Sequence, residues 1–331
     1  MPKKIEISHR TIIFTVIFLL SLWFIVQIIE IISWVFISFI LMAALKPTVD
    51  SLHNLKIPRA LSIIFIYVLI FIVFGFVVSS IIPPLVNETV HLSESLPSFI
   101  RLIAPNINLD PQNFSKEISS IGTNLLSFSV GIFNNIISLF TITVISFYLL
   151  LERKNLDSYL ELLLGETLGK RIEAVFNRVE ERLGHWVRGQ LALMLSIGIL
   201  TYIGLLILGI PYALPLAIIA GILEIVPTLG PIISAIPAVL VSFTVTSLHP
   251  IFTSIMYLII QQVENQVIVP VIMSKIVGVP PLVTIIAVMV GARIGGIVGA
   301  VLAVPLVVTI ETVFREYYQL QEEKYKPVNS E

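Results

Sequence analysis

Between Arg188 and Glu311 the chain carries only four charged residues, Glu224, Glu264, Lys275 and Arg293, in an apolar stretch broken by glycines and prolines. No other feature restricts the fold as much. A charge at the centre of a membrane span costs at least ~2.5 kcal/mol on insertion scales, so each of the four needs a compensating role. Soluble domains carry about a quarter charged residues; this chain of 331 residues has 12%, with 56% hydrophobic. The expected fold is all-α and polytopic, each spanning helix taking ~20 largely apolar residues.

The remaining composition removes whole classes of function. A net charge of −1 gives no field for nucleic acid. Without cysteine there is no disulfide, thiol nucleophile or cysteine-ligated metal. The five histidines (His9, His53, His91, His185, His249) never fall at metal-ligand spacing, and neither a nucleophile elbow nor an HExxH is present. The chain reads as a non-enzyme with no cofactor.

Along the chain, the basic "MPKKIEISHR" precedes an apolar run from Thr11 to Ile29, too long for a signal peptide and without a small-residue cleavage site. It is expected to be an uncleaved first span with a cytoplasmic start. Glu30 ends it, and "IISWVFISFILMAAL" follows as a second span in a tight hairpin. Lys46, Lys56 and Arg59 mark the next loop as inside. A third span, 61–82, is expected to stop at Pro83 and Pro84, before a polar, extracytoplasmic helical insertion over 83–130 in which Asp110 caps a helix opened by Pro111. A fourth span lies near 131–151. These parts form an N-terminal scaffold, 1–151. Residues 152–188, with seven lysines and arginines and apolar residues at helical spacing, read as a cytoplasmic amphipathic linker. A transport module over 189–313 and a cytoplasmic tail over 314–331 complete the expected division.

The module holds an internal repeat. A span at 190–208 ends in "GIP" (209–211), followed by an apolar arm, Glu224, the breakers Pro227, Gly230 and Pro231, and an arm containing "AIP" (235–237). A span at 251–273 ends near "GVP" (278–280), followed by an arm, Arg293, the breakers Gly295, Gly296 and Gly299, and an arm containing "AVP" (303–305). Each arm-breaker-arm unit, 211–247 and 281–313, is either one broken crossing or a re-entrant hairpin. Lys275 falls inside only with hairpins, which the positive-inside tendency favours. Two hairpins entering from opposite faces make an inverted repeat, an architecture whose discontinuous helices meet around a substrate near the midplane. Glu224 then faces a cavity, where unpaired backbone is tolerated.

"IIQQVENQVIVP" adds Gln261, Gln262, Glu264, Asn265 and Gln266 within a span. At α-helical spacing Gln261, Glu264 and Asn265 share one face, lining a cavity or bonding to another helix. For Glu224 and Arg293 the competing expectation is a structural ion pair between the hairpins.

The E-x-x-P-x-x-G-P of "EIVPTLGP", the segment "QQVENQVIVP" and the stretch "LKPTVDSLHNLKIPRALSI" resemble the autoinducer-2 exporter family, and the resemblance covers nearly the whole chain. It implies a cell inner-membrane transporter of about eight membrane segments and a homo-oligomer, with a pentamer as the candidate number. Members are linked to export of autoinducer-2 or other small solutes, and some to sodium–proton antiport. The family pattern points to Glu224, Pro227, Gly230, Pro231, Gln261, Glu264 and Pro270; Gln262, Asn265 and Arg293 come from the polar stripe and the repeat.

Two mechanisms stay open. The protein exports a small polar or anionic solute, hydrogen-bonded by Glu224, Gln261, Gln262 and Asn265 and moved by the hairpin module against the scaffold. Alternatively it exchanges sodium or lithium for protons through Glu224 or Glu264. A non-transporting scaffold leaves the breakers and the polar stripe without a role.

Overall fold

The computed structural model describes residues 9–103, 136–227, 229–273 and 280–325. Residues 1–8, most of the insertion including Asp110 and Pro111, Lys275 and most of "GVP" lie outside the described residues. All regular elements among those described are helices.

Helix α1 runs unbroken over His9–Asn54, about 69 Å at ~1.5 Å per residue. The hairpin expected at Glu30 is therefore not formed. Residues 9–46 contain neither glycine nor proline, and a lone glutamate is a good helix former rather than a breaker. After a turn through Lys56, at φ 68°, helix α2 covers Arg59–Ile103. It passes through Pro83 and Pro84, correcting the expected stop. A proline removes one intrahelical bond and kinks the helix, and no glycine stands beside this pair to turn the chain.

Helix α3, Ile136–Glu152, matches the expected fourth span. Met42 and Val49 of α1, Ile63 and Ile66 of α2 and Leu150 of α3 bury one another, and Ser38 of α1 donates to the Ile142 carbonyl at 3.0 Å. Helix α4, Leu156–Leu164, is bent by 80° from α3. Gly165, at φ 78°, turns the chain into α5, Glu166–Ile207. The expected linker and fifth span are thus joined in one helix.

An ionic node fixes α5 on the scaffold. Glu180 of α5 pairs with Lys46 of α1 and with Arg153 Nε at 2.5 Å. Arg153 also donates to Asp157 at 3.1 Å and to Asn177, and its guanidinium lies 5.2 Å from the Phe176 ring centre. Burial alone would lower the Arg153 pKa; the hydrogen bond and charge of Glu180, then those of Asp157, outweigh it and hold the guanidinium above the ordinary arginine value.

The rest of the chain is built from folded-back helices. Gly209 (φ 64°) and Tyr212 (φ 58°) make the turn into α6, Ala213–Leu223, which is followed by α7, Leu229–Ser242. Ala213 and Leu216 pack on Ala238 and Val241, while Gly230 lies against the Leu223 backbone. The start of one arm meets the end of the other, so the unit is an antiparallel hairpin. Its arms of 11 and 14 residues reach only about 17 and 21 Å, short of a ~30 Å hydrocarbon core. Helix α8, His249–Val263, passes through a π-helical turn, Glu264–Ile268, into α9, Val269–Met273. Helix α10, Pro281–Tyr325, leaves helical geometry at Gly295 and Gly296, the latter at φ 58°. Gly291 and Gly299 are in backbone contact across that break. Residues eight apart in a continuous helix would be about 12 Å apart, so this unit too doubles back.

By length and composition five helices among the described residues can cross a membrane, or six if α3 and α4 form one bent span. The expected eight counted α1 as two spans and each hairpin as one.

Candidate functional site

The site is built where α5, α6 and α8 meet. Ile197, Ala220 and Ile260, one from each helix, form a small apolar layer. One turn beyond Ala220 stands Glu224; one turn beyond Ile260 stands Glu264. Equal spacing from a shared contact brings the two carboxylates together. They face each other at interacting distance, 1% and 4% exposed, and the Oε2 of each has no hydrogen-bond partner among the described residues. No lysine or arginine described here forms an ion pair with either.

Local backbone explains why each residue can sit there. Glu224 closes α6, and the next turn tightens: Ile225 and Val226 donate to Ile222 and Leu223, and Gly230 to Val226. Such bonds use up helix-end carbonyls that would otherwise be unpaired. The Glu224 carbonyl itself accepts from Gln190 Nε2 of α5 at 2.6 Å. Gly230 is needed because a Cβ there would overlap the Leu223 carbonyl. Pro227 sits in the break, half-buried, whereas Gly230 and Pro231 fall in the first turn of α7, where proline is tolerated.

Glu264 opens the π turn, in which Val269 N–H bonds to the Glu264 carbonyl. π turns occur mostly as single-turn bulges and are frequent at functional sites. Glu264 points inward, Gln261 is half-buried, and Gln262, Asn265 and Gln266 are exposed, with Gln266 Nε2 donating to Gln262 Oε1 at 3.4 Å. The expected shared face of Gln261, Glu264 and Asn265 is therefore corrected: with Glu264 turned inward, Gln261 stands about 60° and Asn265 about 100° round the helix. Pro270 is exposed one turn on.

Arg293 is exposed beside the second hairpin's turn and does not pair with Glu224, so the expected ion pair is not formed. The hairpins meet elsewhere. Val226, at the turn of the first, packs on a core containing Val288, Ala300 and Ala303 of the second with Trp186 of α5.

Sequence reasoning missed Gln190, 3% exposed. As a lone amide in the apolar run after Arg188, it had a signal, but one that only the fold connects to Glu224. It also missed Glu180 and Arg153, which read as two of many charges in a polar segment.

Several membrane-capable helices among the described residues agree with what the chain resembles. The family model for the AI-2E family transporter matches residues 12–319. YrrI of Bacillus subtilis, named as a candidate transport protein, is 28% identical over 321 residues, covering 91% of this chain and 90% of YrrI. YueF of the same organism, with the same kind of name, is 30% identical over 279 residues, covering 77% and 75%. PerM of Escherichia coli, named as a candidate permease, is 25% identical over 243 residues, covering 71% and 69%. The chain belongs to the AI-2E family and is a multi-pass membrane protein of transporter kind.

Proposed function

We propose that this protein is a secondary transporter whose Glu224–Glu264 pair carries a proton or an alkali cation. The observation that carries the reading is two buried carboxylates facing each other with no basic partner. An unpaired buried carboxylate is expensive, and two side by side are more so. A proton or a small cation removes that cost, and exchanging one for the other at a single site couples their movements. Intramembrane carboxylates mark proton and ion pathways in pumps and transporters. The same charges disfavour an anionic cargo at this point.

In this reading the two helical hairpins enter the membrane from opposite faces as an inverted repeat. The module, 189–313, moves against the scaffold, 1–151, and presents Glu224 and Glu264 to each side in turn. Pro227, Gly230 and Pro231 keep the first hairpin's turn tight, and the π turn lets α8 adjust at Glu264.

A second reading, export of a small polar solute such as autoinducer-2, is favoured by Gln262, Asn265 and Gln266. Their amides are exposed on an apolar helix, and amides in hydrocarbon need a partner, supplied by a solute or by a second copy in a homo-oligomer. Arg293 at the second turn would be a further polar contact. Purified protein in liposomes separates the readings. Internal pH is followed while a sodium or lithium gradient is imposed, and cation-dependent proton flux is expected. No flux beside a working positive control would remove exchange and turn the assay to labelled autoinducer-2.

A further inference from the structure

The scaffold carries a groove that neither the carboxylate pair nor the hairpins use. Leu52 of α1 and Ile57, Leu61, Ile64, Phe65 and Val68 along the start of α2 line an open cleft of about 530 Å³. Residues 61, 64, 65 and 68 recur at i, i+3, i+4 and i+7, so they form one stripe of α2. It is exposed and turned away from Ile63, Ile66 and Tyr67, which pack on α1 and α3. Ser62, the polar residue in the lining, already donates to the Pro58 carbonyl at 3.3 Å. The cleft wall therefore suits an apolar chain.

The mouth of the groove is the loop from α1 to α2, and it is basic. Lys56 is exposed, and its backbone is left-handed at φ 68°. Glycine takes that conformation freely, whereas an L-residue meets steric resistance there. Lysine in place of glycine puts an ammonium at the mouth, and backbone outliers of this kind cluster at ligand sites. Lys154, from the bend after α3, reaches the same loop. Its Nζ donates to His53 Nε2 at 3.3 Å, and His53 Nδ1 donates to the Ile57 carbonyl at 3.1 Å. Neither lysine forms an ion pair among the described residues. The acids of these segments are engaged elsewhere: Asp50 with Arg59 at 3.2 Å, and Glu152 accepting from Asn155 at 2.9 Å.

The dimensions select the occupant. Ile57 to Val68 spans about 16 Å at ~1.5 Å per residue, half of a ~30 Å hydrocarbon core. A neighbouring helix that crosses the membrane needs a seat through the whole core. One acyl chain of one leaflet needs only this half, with its headgroup at the basic loop.

We propose that this groove binds an anionic phospholipid, with one acyl chain along 61–68 and the headgroup phosphate beside Lys56 and Lys154. Basic pockets at the ends of membrane helices on the cytoplasmic side hold such headgroups. The bound lipid braces the α1–α2 turn against the α3–α4 bend. The site lies on the scaffold and does not depend on what the carboxylate pair carries.

The test mixes the full chain in mild detergent with phosphatidylglycerol or with phosphatidylcholine of identical acyl chains. Lipid retained per chain is counted by native mass spectrometry. One lysine beside an anionic headgroup is worth about fivefold in binding, so the wild type should prefer phosphatidylglycerol by at least about tenfold. Lys56→Gly suits the left-handed turn and so keeps the fold; it should cut the preference about fivefold. Lys154→Gln should do the same, and the two together should abolish the preference. Leu61→Trp, which fills the groove and leaves both lysines in place, should lower retention of both lipids. Lys170→Gln, at an exposed lysine paired with Glu166, should behave as the wild type. Equal retention of the two lipids by the wild type, or an undiminished preference in the doubly substituted protein, would overturn the site. Unchanged retention in Leu61→Trp would overturn it too, and an oligomer dissociated by that variant would give the groove to a second copy of the chain.

Discussion

Glu180 and Glu224 are both buried carboxylates, yet the chain treats them in opposite ways. Glu180 is held by Lys46 and Arg153; Glu224 has only Glu264 before it. The first arrangement ties helices together, and the second leaves a charge requirement for something mobile to meet. Removing one partner of a buried ion pair costs about 3–5 kcal/mol because the other charge is stranded. Glu180→Ala strands Lys46 and leaves Arg153 with Asp157 as its one acidic partner, so it should lower the thermal midpoint of the detergent-solubilised protein markedly, whereas Glu224→Gln, which removes a charge with no basic partner, should leave the midpoint unchanged or raise it. An equal loss in both would remove the distinction. At this scale the sequence was informative where charge is scarce: Glu224 and Glu264 stand out among apolar neighbours. It was silent on Glu180 and Arg153, which lie among many charges, and it overvalued Arg293, whose matching place in the repeat did not bring it to Glu224.

The elements follow their breakers, with instructive exceptions. Glycine and proline clusters located both turns correctly, because backbone that must fold back on itself within a few residues needs them. Glu30 and the Pro83–Pro84 pair did not break their helices, since charge does not disfavour a helix and a proline removes only one bond. The π turn was invisible, because "QQVENQVIVP" has no residue type that demands it. The close backbone contacts give a direct test. Gly230→Ala would drive a Cβ into the Leu223 carbonyl, and Gly291→Ala one into Gly299. Overpacking of this kind costs about 1–3 kcal/mol. Both variants should lower stability and transport together, while Gly295→Ala, with open space around it, should disturb packing least. A Gly230→Ala protein with unchanged midpoint and flux would contradict the tight hairpin.

On the scale of the molecule, the basic segments gather at one end. Lys154 contacts His53, Arg59 pairs with Asp50 and bonds the Leu150 carbonyl, and Arg182 pairs with Glu311 at 3.1 Å. The loop after α1, the bend after α3, the first half of α5 and the last part of α10 therefore share a face. Excess lysine and arginine marks the cytoplasmic side. Leu55→Cys and Leu162→Cys, 71% and 81% exposed, should then react with an impermeant thiol reagent only from the cytoplasm; labelling from outside would invert the topology. The all-helical membrane fold was legible because composition alone demands it, whereas the meeting of Glu224 with Glu264 was not, because it depends on three helices packing at Ile197, Ala220 and Ile260. The most direct test of the account is proton flux driven by a sodium gradient in liposomes holding the wild type, Glu224→Gln or Glu264→Gln. The account predicts flux in the wild type and its loss in both variants. Undiminished sodium-driven flux in Glu224→Gln would contradict it.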